Sequence, residues 1–290
     1  MYGDTCRVSG HAGPQKVHTA VSSERSPGVE PRSYGPPLTA RSVVASVLLG
    51  TEPPVMAARG LVRAGELFGI SEGTVRTALS RMSAAGELER TPEGRYRLVG
   101  HLAERQQRQL ASRRAEVSPW NGNWELWLVV ARSRPAEQRA ALRRAAQRLR
   151  LAEAREGVWL RPDNLPRGAR SETDRRVVES QAMRMVVQPD DDDRLVTELW
   201  DLEGWNSTAH SLRRGMHDLT DRLIEDDTTA LQPGFVLAAA VLRHLNADPL
   251  LPDELRIGTV GRADEARSLR RDYEAYDAAY RSLLSRWLRS

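Results

Sequence analysis

The stretch at residues 68–86, FGISEGTVRTALSRMSAAG, has the pattern of a turn followed by a short helix. Ser71 is a good N-cap, because its hydroxyl can accept a bond from a free backbone N–H, and Gly86 is a suitable stop. Four apolar residues recur at helical spacing and should share one buried face: Val75, Ala78, Leu79 and Met82. The pattern therefore predicts an amphipathic helix over residues 72–85.

Five polar residues of this helix point away from the apolar face: Thr74, Arg76, Thr77, Ser80 and Arg81. A solvent-facing helix is usually rich in Glu and Gln, whereas hydroxyl and guanidinium groups bond phosphates and base edges in the major groove of DNA. We therefore interpret residues 72–85 as a DNA-recognition helix. The alternative is a domain of the same fold that is used only for protein contacts.

Two helices are predicted before the turn. Thr39 is a plausible N-cap for the first, and Gly50 is placed to end it. The second carries three apolar residues on one face: Leu61, Ala64 and Phe68. Gly65 is small where the second and third helices should cross, Gly69 supplies the turn, and Val75 packs back into the pair. These spacings are typical of a helix-turn-helix.

A basic hairpin is predicted to follow the recognition helix. Residues 88–98 alternate like two paired strands around a turn at Thr91–Gly94. Arg95 and Arg97, on the second strand, are placed to straddle a phosphate backbone. Together these elements predict a winged helix-turn-helix domain within residues 38–99. Two more arginines of this domain are predicted phosphate contacts: Arg41 and Arg63.

The rest of the chain divides into segments of different composition, and the fold class predicted for the whole is α+β. Residues 1–37 are rich in Gly, Pro, Ser and Thr and are predicted to be a disordered extension. A polar connecting helix is predicted over residues 100–118. Three strand patterns alternate with helical patterns in residues 119–192 and predict a ferredoxin-like domain; they lie at residues 125–130, 157–162 and 183–187. Residues 193–290 have a helical pattern and are predicted to dimerise and to sense a ligand.

Composition and charge suit a protein that binds a polyanion. Residues 38–115 carry 12 Arg against 7 acidic residues, whereas residues 116–290 carry 27 Arg against 29, so the positive charge is concentrated in the predicted DNA-binding region. Cys6 is the one cysteine, which excludes an internal disulfide and a cysteine-based zinc site. Neither a long apolar run nor a secretory signal pattern is present. We therefore expect a cytoplasmic protein.

Motifs for catalysis or metal binding are weak or missing, so we expect no enzymatic activity, no cofactor and no metal. The acidic run at residues 190–193 is better explained by a solvated loop than by a cation site. His210 and His217 are seven residues apart, whereas helical zinc ligands are usually four apart. Neither a nucleophile elbow nor a phosphate-binding glycine loop occurs. Four tryptophans are interpreted as core residues rather than a ligand platform: Trp124, Trp127, Trp159 and Trp200.

Several motifs, in this order along the chain, resemble the PaaX family of phenylacetate-pathway repressors. The most specific is VRTALSRM at residues 75–82, preceded by FGIS and followed by Gly86. Three further stretches are similar to that family: WNGNW at residues 120–124, LWDL at residues 199–202 and DPLLPDEL at residues 248–255. The resemblance covers roughly residues 38–280.

The resemblance implies a winged helix, a central ferredoxin-like domain and a helical C-terminal domain. It also implies a homodimer that represses catabolic genes from an inverted-repeat DNA operator, and release by an aryl-coenzyme A thioester. A ligand with several phosphates needs arginines. The densest clusters outside the DNA-binding region are the helix around Arg143 and Arg144 and the segment 210–217. In that segment we expect the effector to contact Arg213, Arg214 and His217, and the alternative is that both arginines face solvent or pair with nearby aspartates.

Two other functions remain open from the sequence. A metal-dependent nuclease built on the ferredoxin-like domain is one alternative, although Val130 and Ala131, at the end of its first strand, supply no acidic group. A DNA-binding activator is the other alternative.

Overall fold

The computed structural model describes residues 38–131, 133–166, 168, 170–256 and 262–289. The extension predicted over residues 1–37 lies outside these residues. The described chain is a mixed α+β protein with ten α-helices, seven strands and two small antiparallel sheets. Within the described ranges, no helix has both the length and the apolar composition needed to cross a bilayer.

The helices and strands alternate only in the first two thirds of the chain. The helices are α1 Ala40–Leu49, α2 Ala58–Glu66, α3 Glu72–Ala84, α4 Gly100–Arg114, α5 Ala136–Arg148, α6 Glu172–Glu179, α7 Asp192–Leu199, α8 Leu202–Ile224, α9 Leu231–Asn246 and α10 Arg262–Arg289. The strands are β1 Val55–Ala57, β2 Leu88–Arg90, β3 Arg95–Leu98, β4 Trp124–Val129, β5 Ala152–Arg155, β6 Val158–Pro162 and β7 Ala182–Val187.

The first sheet has the order β1-β3-β2 and is antiparallel throughout. Strands β2 and β3 form the predicted hairpin, in which Leu88 pairs with Leu98. Strand β1 was not predicted, because the sequence shows only a helix stop before it. Its three residues pair with β3, and Met56 lies opposite Tyr96, so the strand depends on a partner some 40 residues away in sequence.

The second sheet has the order β5-β6-β4-β7, and its chain order is strand, helix, two strands, helix, strand. Strand β5 was not predicted from the sequence, because its residues favour a helix and follow α5 closely in the chain. In the structure Arg150 adopts a φ of 62°, and the chain turns back after α5. The strand then pairs with β6, with Ala152 opposite Leu160.

Two hydrophobic clusters cover the faces of this sheet. Trp127 and Trp159 pack against α5 and α6, while Trp124 and Leu160 pack against α7 and Leu255. Three of the four tryptophans expected in the core are therefore buried, and the fourth, Trp200, is half-buried and stacks on Trp124 with ring centroids 6.2 Å apart.

A third hydrophobic cluster joins the N-terminal helices to the C-terminal ones. It runs from α1–α3 through the start of α4 into α8, α9 and α10. Phe68 was predicted on the buried face of the second helix, but α2 ends at Glu66 and Phe68 lies in the following turn. There it is half-buried, with its ring centroid 4.9 Å from that of Phe235 on α9.

Candidate nucleic-acid interface

Helix α3 is fixed by one buried face. Val75, Leu79 and Met82 are almost fully buried, and Ala78, predicted to join them, is half-buried. The Ser71 hydroxyl accepts a bond from the Thr74 backbone N–H at 3.4 Å, as the capping prediction requires. These contacts hold the helix against α1 and α2 and leave its opposite face in solvent.

All five polar residues predicted to face DNA are exposed: Thr74, Arg76, Thr77, Ser80 and Arg81. Some of their polar groups bond within the helix. Arg76 Nε donates to Glu72 Oε1 at 2.6 Å, and the Thr77 hydroxyl donates to the Gly73 carbonyl at 2.8 Å. An exposed ion pair such as Arg76–Glu72 contributes only about 0.3–0.5 kcal/mol. A phosphate or base edge can therefore replace it at little cost.

A groove of about 570 Å³ lies between α3 and the start of α1. It is lined by Thr74, Thr77 and Arg81 on one side and by Thr39 and Arg41 on the other. Thr39 caps α1 as predicted, and its hydroxyl accepts a bond from the Ser42 backbone N–H at 3.2 Å. The N-terminus of a helix favours anions, so the groove combines two arginines with a helix end of positive potential.

Arg41 is held on the rim of this groove by Glu87. Its Nε donates to Glu87 Oε2 at 3.0 Å, and a second guanidinium nitrogen donates to Oε1. Glu87 is nearly buried, whereas 56% of the Arg41 side chain is exposed. The hydrogen bonds from Arg41 hold the pKa of Glu87 below its usual range and raise the pKa of Arg41. The pair fixes the guanidinium while leaving much of it accessible.

The hairpin carries both predicted wing arginines on its solvent side. Arg95 and Arg97 are exposed, and Tyr96 between them is half-buried. Arg95 Nη2 donates to the Val55 carbonyl at 3.2 Å, and Arg97 Nη2 donates to Glu89 Oε2 at 2.8 Å. Both guanidinium groups lie at the surface, where a phosphate can reach them.

Arg63 differs from the other predicted phosphate contacts because it is tied to the C-terminal helix. Its Nε donates to the Trp287 carbonyl at 2.9 Å, and its guanidinium carbon lies 4.8 Å from the centroid of the Trp287 ring. The side chain is half-buried. It therefore joins α2 to α10, and its contact with phosphate stays a prediction.

The segment proposed for the effector lies on α8 and faces α10. Arg213 donates to Asp272 Oδ2 at 2.6 Å and to Glu265 at 3.0 Å, and the bond with Asp272 raises the pKa of Arg213. The aspartates expected to pair with it from its own helix are not its partners. His217 Nε2 is 3.6 Å from Asp272, and Arg214 is exposed. Effector binding by these residues stays a prediction.

The acidic run at residues 190–193 has structural roles. Asp191 caps α7 by accepting a bond from the Arg194 backbone N–H at 2.9 Å, and Asp192 Oδ1 accepts one from Trp124 Nε1 at 2.7 Å. In the part of the chain that the structure describes, no three His, Cys, Asp or Glu residues are grouped to hold a metal ion.

An arginine-lined cavity was not predicted from the sequence. It has a volume of about 780 Å³ and lies between α4, α5 and α9. The sequence indicated part of this lining, because Arg144 belongs to one of the two arginine clusters described above. The arginines that α4 contributes were not predicted to line a cavity, because that helix was interpreted as a connector.

An exposed helix face of Arg, Thr and Ser beside an arginine-bearing hairpin is typical of the DNA-contacting part of a transcriptional regulator. The model of the PaaX-like protein family matches residues 39–106, which span α1–α3, the first sheet and the start of α4. The chain belongs to this PaaX-like family, as the resemblance predicted, and this membership suggests a transcriptional regulator.

Among solved structures, the chain is similar to the uncharacterized protein Rv0674 from Mycobacterium tuberculosis. The two are 38% identical, and the match has a TM-score of 0.64 and covers 86% of this chain and 98% of that one. No curated protein matches the sequence.

Proposed function

We propose that the protein is a DNA-binding transcriptional repressor and that α3 is its recognition helix. The observation that carries the proposal is the division of α3 into a buried face of Val75, Leu79 and Met82 and an exposed face of arginines and hydroxyls. Arg76 and Thr77 would contact base edges, and the other exposed polar residues of α3 would assist them. Arg41, Arg63 and the hairpin arginines would contact phosphates.

Two finer features of the fold belong to this proposal. Helices α1–α3 with the three-stranded sheet are interpreted as a winged helix-turn-helix, because two helices joined by a tight turn precede an antiparallel hairpin. The order β5-β6-β4-β7 supports a ferredoxin-like central domain, since its two helices connect strands that are not neighbours in the sheet.

The assembly and its regulation follow from the same proposal. A homodimer would bind an inverted repeat, because two-fold symmetry in the protein matches two half-sites on the DNA. A small acidic effector, such as an aryl-coenzyme A thioester, would release the DNA, and the protein would have no enzymatic activity. Ultracentrifugation at micromolar concentration and the length of the DNA footprint test the dimer. A monomer that protects a single half-site would contradict it.

Salt dependence tests the phosphate contacts. Fluorescence anisotropy with a labelled operator duplex, repeated from low to high salt, gives the slope of log K against log salt. Each phosphate contact removed should lower that slope by about 0.9. We expect Arg95→Ala with Arg97→Ala to lower it by about 1.8. Arg194→Ala is the matched control, because Arg194 is an exposed, ion-paired arginine on α7. An unchanged slope in the double variant would show that the hairpin does not contact the backbone.

Sequence preference tests the recognition helix. Arg76→Ala and Thr77→Ala should bring specific affinity closer to nonspecific affinity, since one good bidentate base contact discriminates by about 1–3 kcal/mol. An equal loss of affinity for all duplexes would show that these residues contact phosphates rather than bases.

Adding magnesium to the same assay tests the nuclease alternative, because cleaved DNA in place of shifted DNA would exclude a pure repressor. Transcription in vitro distinguishes a repressor from an activator, because a repressor lowers the amount of transcript and an activator raises it.

A further inference from the structure

An apolar cleft of about 260 Å³ lies where α1 and α4 meet α9 and α10. Its walls are mostly aliphatic and aromatic, and they include Leu49 of α1, Phe235 and Leu242 of α9, and Leu284 of α10. A cavity of about 150 Å³ with a lining of this kind already holds a benzene molecule. The apolar cleft therefore has room for one or two aromatic rings.

Three nearly buried polar side chains also line the apolar cleft: Gln109 of α4, and Tyr273 and Asp277 of α10. Gln109 lies about one helical turn from Arg113 on α4, and Tyr273 lies about one turn from Asp277 on α10. Arg113 Nη2 donates to Asp277 Oδ2 at 3.1 Å, and its guanidinium carbon lies 5.2 Å from the centroid of the Tyr273 ring. Arg113 therefore joins the two helix faces that carry these polar groups.

Each of the three side chains has an atom that the fold does not use for hydrogen bonding. Gln109 Oε1 is buried without a hydrogen-bond partner. Arg113 and Arg281 both bind Oδ2 of Asp277, which leaves Oδ1 to a ligand. The Tyr273 hydroxyl forms no hydrogen bond with any residue that the structure describes. Because buried polar groups are normally hydrogen-bonded, these atoms indicate that the apolar cleft receives a molecule with a hydrogen-bond donor.

The charged residues that line the apolar cleft balance one another. Two arginines are opposed by two carboxylates, so the described lining has no net charge. These residues are Arg105, Arg281, Glu52 and Asp277. Burial raises the pKa of Asp277, and the charges of Arg113 and Arg281 act against this rise. An uncharged ligand therefore suits the apolar cleft better than an anion, which would meet a carboxylate beside the other acceptors.

We propose that the apolar cleft binds a small uncharged aromatic molecule that carries an N–H or O–H donor, and that Gln109 Oε1 accepts its hydrogen bond. Phe235 and Tyr280 offer rings for contact with an aromatic ligand, and Met56 adapts its shape to fill gaps around it. The inference does not rest on the proposed function, because it concerns the C-terminal side of α1 and is tested without DNA.

Ligand-observed NMR titrations of the full chain test the inference. The probes are indole, benzofuran and benzoate. Benzofuran has the shape of indole but lacks the N–H donor, and benzoate carries a negative charge. We expect indole to bind about fivefold more tightly than benzofuran, since a neutral hydrogen bond contributes roughly that factor, and benzoate to bind more weakly than indole. Equal affinities for indole and benzofuran, or tighter binding of benzoate, would overturn the inference.

Gln109→Met tests the acceptor, because methionine keeps the length of the side chain and removes the amide. The variant should bind indole and benzofuran equally, and its thermal stability should not fall, since Oε1 has no partner in the chain. Gln107→Met is the matched control, because Gln107 is exposed on the same helix outside the apolar cleft, and it should keep the preference for indole. A preference that survives in Gln109→Met, or is lost in both variants, would show that Gln109 is not the acceptor.

Ala239→Phe tests the location of the site. Ala239 of α9 lines the apolar cleft, and a phenyl ring there would fill the space proposed for the ligand. This variant should lose measurable indole binding, whereas Ala278→Phe, at an exposed position of α10 outside the apolar cleft, should keep it. Indole binding that persists in Ala239→Phe would place the site elsewhere. Circular dichroism checks that both variants fold, and Gln109→Met decides the inference if Ala239→Phe does not.

Discussion

The crossing of α2 and α3 allows a direct test of the packing under the proposed recognition helix. Gly65 lies near the end of α2, and a Cβ added there would meet Val75 Cγ2 at 2.6 Å, far inside ordinary contact distance. Val75 is fully buried and cannot move into solvent. Gly65→Ala should therefore push α3 away from α2.

Two opposing effects determine how much Gly65→Ala changes the free energy of unfolding. Overpacking a close-packed core typically costs about 1–3 kcal/mol. Alanine is better than glycine inside a helix by about 0.8–1 kcal/mol, which offsets part of that cost. We expect Gly65→Ala to lower the free energy of unfolding by about 0–2 kcal/mol, whereas the same substitution without a clash should raise it by about 0.8–1 kcal/mol. Gly73→Ala is the matched control, because Gly73 is helical and a Cβ there meets nothing within 4 Å.

Thermal unfolding followed by circular dichroism measures the stability of both variants. For a chain of this size, Tm shifts by roughly 2–4 °C for each kcal/mol change in the free energy of unfolding. The control should be as stable as the parent or slightly more stable. Adding Val75→Ala to Gly65→Ala removes the clashing methyl group, so the double variant should lose at least about 0.5 kcal/mol less than the sum of the single variants. If Gly65→Ala is as stable as Gly73→Ala, α2 and α3 do not cross as the structure has them.

Two further predictions concern ion pairs. The pKa of Glu87 is lowered by Arg41, so its ionised form stabilises the fold above the pKa of the unfolded chain and loses this effect as pH falls through the lower folded value. Glu87→Gln should lower the free energy of unfolding by about 1–2 kcal/mol at pH 7 and by much less near pH 3. The control is the exposed Glu89→Gln, which should change stability by less than about 0.5 kcal/mol. Urea titrations that show the same loss for Glu87→Gln at both pH values would contradict the role given to the ionised carboxylate. Arg213→Ala should destabilise the fold, because it removes the guanidinium that donates to Asp272 and Glu265 on α10, whereas the exposed Arg214→Ala should not. If the pair forms the effector site instead, Arg214→Ala will abolish the response to an aryl-coenzyme A in the operator assay.

Local patterns were enough to predict α3 and the hairpin. The face of α3 follows from helical period alone, and Ser71 and Gly86 mark its ends with side-chain and backbone chemistry that depends on no distant residue. The hairpin follows from alternation around Gly94, whose φ of 76° suits a glycine in a turn. These elements also contain most of the predicted DNA contacts, so that part of the candidate site was visible in the sequence.

Features set by distant contacts were not predicted. Strand β1 exists through its pairing with β3, and β5 overrides a helix-favouring sequence by pairing with β6. The partners of Arg213 lie more than 50 residues away on α10, so a search among neighbouring aspartates could not find them. The arginine cavity was missed for the same reason, since its lining comes from helices whose separate patterns indicate only polar surfaces.

The shared hydrophobic cluster bears on how a ligand far from α3 could affect DNA. Phe68, in the turn after α2, packs on Phe235 of α9, while Arg63 of α2 donates to the carbonyl of Trp287 on α10. Helix α2 therefore contacts both α3 and the C-terminal helices, and α4 joins the same cluster through Leu102. Close-packed cores transmit displacement because they cannot absorb it. Under the proposed function, a change at α4 or α9 would therefore reach α2 and α3 through this packing, and an effector would not need to approach the polar face of α3 to change its fit to DNA.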